Sequence, residues 1–127
     1  MTRGLLLFAH GARDPRWAEP FEAVAARARS LSPDCLVQLA FLEFMQPTLA
    51  DAGRSLVAAG CLRIGVVPLF LGAGGHVRKD LPALLDELRT AFPATRWHLH
   101  PAIGEQASVI DAMADAAISL LRDEPAQ

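Results

Sequence analysis

Four apolar runs alternate with four stretches of helical periodicity, and that alternation leaves few folds open. The runs are Leu5–Ala9, Leu36–Leu42, Arg63–Val67 with an extension to Leu71, and Arg96–His100. The first is continuously apolar, as a strand buried on both faces must be. The second and fourth are more mixed, which suits strands nearer the edges of a sheet. Pro68 donates no ladder hydrogen bond, so regular pairing is expected to stop there and the chain to turn into Gly72-Ala73-Gly74-Gly75.

Helical spacing supplies the intervening elements. Trp17, Phe21, Val24, Ala25, Ala28 and Leu31 form the stripe of a first amphipathic helix, with Pro15 and Pro20 in its lead-in and first turn. Pro47 fits the first position of the second helix and Gly60 its stop. Leu81, Leu84, Leu85, Leu88 and Phe92 mark the third, with Asp80 as its cap and Pro82 in its first turn. Val109, Met113, Ala117, Leu120 and Leu121 mark the fourth. The β-α-β-α-β-α-β-α order predicts a single doubly wound α/β domain over residues 1–127, a four-stranded parallel sheet flanked by helices through right-handed crossovers.

Charge and composition narrow the function. A hydrophobic fraction of 52% with 20% charged residues describes a compact chain with no disordered signature. The net charge of −2 argues against nucleic acid as a partner. No apolar stretch approaches membrane-spanning or signal-peptide length, so a cytoplasmic protein with no membrane association is expected. Cys35 and Cys61 stand just before apolar runs, at the amino-terminal ends of strands, and read as small buried thiols.

The chemistry gathers at the other ends. In open parallel sheets ligands bind beyond the carboxyl ends of the strands, where strand order reverses. His10, Glu43 and His76 fall at the ends of the first three strands, and the same interval of 33 residues separates each from the next. Two imidazoles and a carboxylate suit a divalent first-row metal and also proton transfer near neutral pH. Arg13, Arg16, Arg78 and Lys79 are four of the twelve Lys and Arg residues, all within six residues of the two histidines. Together they point to a polyanionic ligand. The glycine loop lacks the dinucleotide fingerprint because position 77 is valine; Gly74 and Gly75 are expected to allow positive φ angles and a close approach by a flat ligand. His98 and His100 share a strand face, and His100 could line the pocket, although packing or exposure is the simpler reading.

Two segments, Phe8-Ala9-His10-Gly11-Ala12-Arg13-Asp14-Pro15 and Pro68-Leu69-Phe70-Leu71-Gly72-Ala73-Gly74-Gly75-His76-Val77-Arg78-Lys79-Asp80-Leu81-Pro82, resemble the CbiX-type sirohydrochlorin chelatases, class II tetrapyrrole chelatases. Ala12 departs from the pattern, since many relatives carry serine there. The resemblance implies insertion of a divalent metal into sirohydrochlorin, with Co2+ the usual ion and Ni2+ or Fe2+ the alternatives, and no other cofactor. It implies that His10 and His76 bind the metal and accept pyrrole protons, and that Glu43 corresponds to the acidic residue between them. Because longer members contain two such halves around one cleft, it also implies a homodimer. The macrocycle's carboxylates would engage Arg13, Arg16, Arg78 and Lys79. Two other readings compete: a histidine phosphatase, whose Arg-His-Gly turn is broken here by Ala9, and a non-catalytic metal or tetrapyrrole carrier.

Overall fold

The computed structural model describes residues 2–72 and 74–126, with residues 75–78 described through their backbone only. Four parallel strands, β1 (Thr2–Ala9), β2 (Cys35–Phe41), β3 (Cys61–Pro68) and β4 (Arg96–Leu99), form one sheet in the order β2-β1-β3-β4. Four helices connect and follow them: α1 (Glu19–Leu31), α2 (Leu49–Ala58), α3 (Gly75–Ala91) and α4 (Ala107–Arg122). The expected α/β class and parallel sheet are therefore present, and the two mixed runs, β2 and β4, are the edge strands. β3 ends at Pro68, paired with Phe8, where regular pairing was expected to stop.

The core lies on one face. Leu6, Phe8, Ile64 and Val66 point from the central strands into a layer made by Leu49, Ala52 and Leu56 of α2 and Leu81, Leu85 and Leu88 of α3. Trp97 of β4 closes it, and Gly53 of α2 lets the Trp97 ring approach: a Cβ there would lie 3.0 Å from the indole. On the opposite face α1 packs against β2 and buries only Ala25 fully; Val24 and Leu31 of its expected stripe are exposed.

Helix boundaries bring three corrections. The α2 cap is Thr48, whose Oγ1 accepts from the Asp51 N–H, so cis-Pro47 stands one residue outside the helix. Gly60 does terminate α2, at φ 97° just past the cap residue Ala59. α3 starts six residues before the expected position. Gly74 is its N-cap, Asp80 lies within the helix, and Pro82 is internal. Asp80 and Pro82 imitate a helix start, but the helix continues through them. It forgoes only the N–H that Pro82 lacks opposite the Arg78 carbonyl.

The largest departure is α4. It is amphipathic as expected but buries no residue, and it packs chiefly against the short 3-10 turn Ile103–Glu105 rather than the sheet. Both cysteines are free and open their strands; Cys61 is buried and Cys35 is half-buried. No helix among the described residues is long and apolar enough to cross a membrane.

Candidate functional site

Main-chain hydrogen bonds carry the parallel ladder past the regular strand ends. Leu42 N–H donates to the Ala9 carbonyl at 2.9 Å, Glu43 N–H to the His10 carbonyl at 3.1 Å, and Leu69 N–H to the Phe8 carbonyl at 2.7 Å. This extension places position 10, after β1, beside position 43, after β2. Gly11 makes the approach sterically feasible. Its φ is 94°, and a Cβ would run into the Glu43 carbonyl oxygen, so both its conformation and its missing side chain are used.

The two side chains meet. His10 Nε2 lies 3.1 Å from Glu43 Oε1, and each side chain is about half exposed, at 51% and 49%. The His10 tautomer protonated on Nε2 donates this hydrogen bond to the carboxylate oxygen. Phe70 sets its ring edge-on to His10, with centroids 6.5 Å apart. The pair borders a cavity of about 350 Å³ that Phe8, Leu42, Asp80, Leu81 and Leu84 also line. The floor is largely apolar, and His10, Glu43 and Asp80 supply the polar edge.

Glu43 turns toward His10, and its neighbour Phe44 has an unusual backbone. Phe44 adopts φ 66°, a left-handed conformation that is uncommon for a bulky residue, and it remains 58% exposed. The guanidinium of Arg13 sits over the Phe44 ring, 5.0 Å from its centroid. The strand ends thus bring His10, Glu43 and Arg13 to a single rim.

The remaining expected site residues are less concentrated. Arg16 is exposed and faces Asp14, donating from Nε at 3.3 Å and from its terminal nitrogen at 3.0 Å; this guanidinium holds the Asp14 carboxyl below its ordinary value. Lys79 is exposed on α3. The side chains of His76 and Arg78 lie outside the described residues; their backbone forms the first turn of α3, just before Asp80. Gly75 is the first residue of that turn. Gly74 does not take a positive φ: its φ is −69°, and a Cβ on it or on Gly72 would meet nothing within 4 Å. Openness of the backbone, rather than left-handed geometry, is what those two glycines supply. His100 does not line the His10 cavity; it lies with His98 on the other face of the sheet, ring centroids 4.4 Å apart.

Sequence reading missed Phe44, Phe70 and Asp80 as neighbours of the pair. Asp80 carried a signal in its place one helical turn after His76, but its resemblance to a helix cap masked it. Among the described residues no three His, Cys, Asp or Glu side chains converge as a metal-binding group.

Comparison with known proteins fits this geometry. The CbiX family profile matches residues 4–120. The sirohydrochlorin cobaltochelatase of Saccharolobus solfataricus is 40% identical over 82 residues, which cover 65% of this chain and 62% of that protein's own length. The solved CbiX protein of Marinobacter aquaeolei VT8 superposes with a TM-score of 0.84 at 30% identity, covering 96% of this chain and 99% of that one. SirB from Bacillus subtilis with Fe3+ superposes at TM-score 0.82 and 23% identity, covering 98% of this chain but 49% of its own. With a family match across most of its length and the same fold in those structures, the chain belongs to the CbiX family.

Proposed function

We propose that this protein is a sirohydrochlorin chelatase that inserts a divalent metal, with Co2+ the favoured ion, into the tetrapyrrole in the cytoplasmic synthesis of cobalamin. The observation that carries the reading is the 3.1 Å separation of His10 Nε2 and Glu43 Oε1 at the mouth of an apolar slot. Two adjacent donors on one first-row cation, each about 2.1 Å from the metal, lie about 3.0–3.4 Å apart. The pair therefore needs little rearrangement to exchange its bridging proton for a metal ion. His76, at the head of α3, is proposed as the second imidazole.

The chemistry follows from that exchange. An incoming cation takes the place of the proton between Nε2 and Oε1 as His10 shifts to the tautomer protonated on Nδ1, and it is held partly desolvated by the neutral imidazole and the carboxylate. When the metal passes to the ring, two pyrrole protons leave: the lone pair released on His10 is proposed to take up one and His76 the other, and both histidines then return these protons to solvent. Each centre thus returns to its starting protonation state. Arg13 and Arg78, with Arg16 and Lys79 further out, are proposed to hold the peripheral carboxylates, while the open backbone at Gly74 and Gly75 admits the ring edge. A broad macrocycle needs two walls and one copy supplies one, so the working unit is proposed to be a homodimer. The match to half of the longer SirB chain supports this reading.

Absorbance-monitored metalation of sirohydrochlorin, at catalytic protein concentration and with Co2+, Ni2+ and Fe2+ compared, tests the proposal. The wild type is expected to turn over many times and fastest with Co2+. His10→Ala and His76→Ala are each expected to lose most of that rate while keeping the native circular dichroism spectrum. Near-normal turnover in both variants would refute the site. Strictly stoichiometric metal transfer would make the protein a carrier, and faster turnover with Fe2+ or Ni2+ would reassign the metal.

A further inference from the structure

The loop after β2 turns a bulky apolar side chain outward on strained backbone. Residues 42–47 form a closed excursion: the Phe41 N–H donates to the Pro47 carbonyl at 2.9 Å, and Phe41 forms a bridge with Thr48. Within the loop Glu43 meets His10, and Met45 packs against the small cluster of Ala9, Ala18 and Phe41. Phe44, between them, has φ 66° and is 58% exposed. A lone exposed apolar side chain is ordinary, as Leu31 at the end of α1 shows. Left-handed backbone under a bulky residue is costly, and such outliers cluster at ligand sites. Burial of the ring does not offset that cost here.

A cation lies over that ring. The Arg13 guanidinium is 5.0 Å from the Phe44 centroid, and among the described residues Arg13 makes no hydrogen bond or ion pair. Arg16, Arg54 and Arg89, by contrast, each hold a carboxylate. The Arg13 fork is therefore steadied by an aromatic face and open to an acceptor. Its contact belongs to the same frame as the His10–Glu43 pair. The Glu43 N–H bonds the His10 carbonyl, and Gly11 lets the two loop backbones touch. His10 with Glu43, and Arg13 with Phe44, are thus neighbouring contacts between the same two loops. Phe44 is one Cα step, about 3.8 Å, beyond Glu43. A tetrapyrrole centred over the first contact extends further than that from its central nitrogens in every direction, so it overhangs the second.

We infer that Phe44 is a specificity-determining residue for the macrocycle: its ring stacks on the flat conjugated face, and its contact with Arg13 presets that guanidinium for a carboxylate on the macrocycle's edge. The inference rests on the chelatase reading and adds to it the residue that recognises the conjugated face. One contact meets two chemical requirements. The π-face of a macrocycle stacks on an aromatic side chain whichever metal the ring receives. The carboxylates on its edge bind a guanidinium through paired N–H bonds. A guanidinium free in water samples many rotamers, and docking it on a ring held by a closed loop reduces the ordering that binding must impose. The backbone strain then has a role, since it holds the ring outward before the ligand arrives. A small polycarboxylate would meet Arg13 alone and lack the stacking half.

Two substitutions in the full chain separate the ring from its bulk. Phe44→Leu keeps an apolar side chain under the same backbone demand, and Phe44→Tyr keeps the ring; circular dichroism confirms that each is folded. Binding is read from the absorbance of metal-free sirohydrochlorin titrated with protein, so no metalation is needed. Phe44→Leu is expected to weaken binding at least about fivefold, and Phe44→Tyr less than about twofold. Arg13→Gln is expected to weaken it about as much as Phe44→Leu. The double variant is expected to fall well short of the product of the two single losses, because either change alone disables the shared contact. Co2+ affinity without tetrapyrrole, read by calorimetry, is expected to stay within about twofold in Phe44→Leu. Equal binding by wild type and Phe44→Leu overturns the inference, as does a loss in Phe44→Tyr as large as that in Phe44→Leu, or losses that simply multiply in the double variant. A parallel fall in Co2+ affinity overturns it by showing that Phe44 acts through Glu43, and a changed sedimentation mass overturns it by placing the ring between copies. A wild type that does not bind the tetrapyrrole overturns the chelatase reading and this inference together. A wild type that binds and metalates it, with Phe44→Leu behaving alike, overturns this inference alone.

Discussion

On the face of the sheet beneath α2 and α3, Leu6, Phe8, Ile64, Val66 and Leu85 are each 1% exposed or less; on the opposite face, β3 and β4 present Arg63, Gly65, Arg96 and His98 to the surroundings. Both faces belong to the same strands, so strand propensity does not explain the difference. What differs is which helices lie over them. The right-handed crossovers between β2, β3 and β4 carry α2 and α3 to one side, and the single crossover in the other direction leaves α1 to cover the second side alone. The last helix, α4, packs on the turn Ile103–Glu105 and does not complete the second layer. Folding stability therefore concentrates on one face.

The largest test of that contrast is truncation. Leu85→Ala removes a fully buried side chain from the finished face and should cost about 2–5 kcal/mol in urea unfolding. Leu31→Ala, on the 83% exposed end of α1, should change stability by less than about 0.5 kcal/mol. Comparable losses from the two would abolish the contrast. Next comes the rim: Gly11→Ala forces a Cβ against the Glu43 carbonyl in a left-handed conformation. It should cost about 1–3 kcal/mol and slow metalation in parallel, measured by unfolding and by initial rate. Smaller again, Thr48→Ala removes the hydroxyl that caps α2 and should cost about 0.5–2 kcal/mol with metalation unchanged.

The smallest effect is a pH dependence confined to the open face. Partial desolvation, and then the neighbouring His98, hold the His100 imidazole below its ordinary value. The folded state thus binds protons less readily than the unfolded chain. The stability that neutral His100 contributes is complete above the ordinary histidine range and falls as pH drops through it, from about 7 toward 5. Urea midpoints across that window should decline slightly, and His100→Gln should flatten the decline. An unchanged slope in that variant would assign the dependence to another group.

Much of this architecture is legible in the sequence because its signals are local. The unbroken apolar run of β1 announces a central strand, and the polar interruptions in β2 and β4 announce edges. The placement of His10 and Glu43 follows from parallel strands ending at one rim. Other features depend on contacts that local patterns do not carry. Asp80 and Pro82 look like a helix start, and only the packing of Leu81, Leu84 and Leu85 with the core shows a helix already under way. The left-handed conformation of Phe44, next to Glu43, is one that no propensity suggests. The stripe on α4 was readable as amphipathic, but a stripe reports that a surface must be covered and not which surface covers it.

The main-chain ladder that reaches past Ala9 and Phe41 has one more consequence. Amide and carbonyl groups, indifferent to residue type, hold positions 10 and 43 at their spacing, so the frame survives when a donor is exchanged for another of similar reach. Replacing Glu43 with histidine or aspartate would shift the hard–soft balance of the pocket while sparing the scaffold. On the proposed metal role of His10 and Glu43, single substitutions at this strand edge would change ion preference without disturbing the frame that holds it.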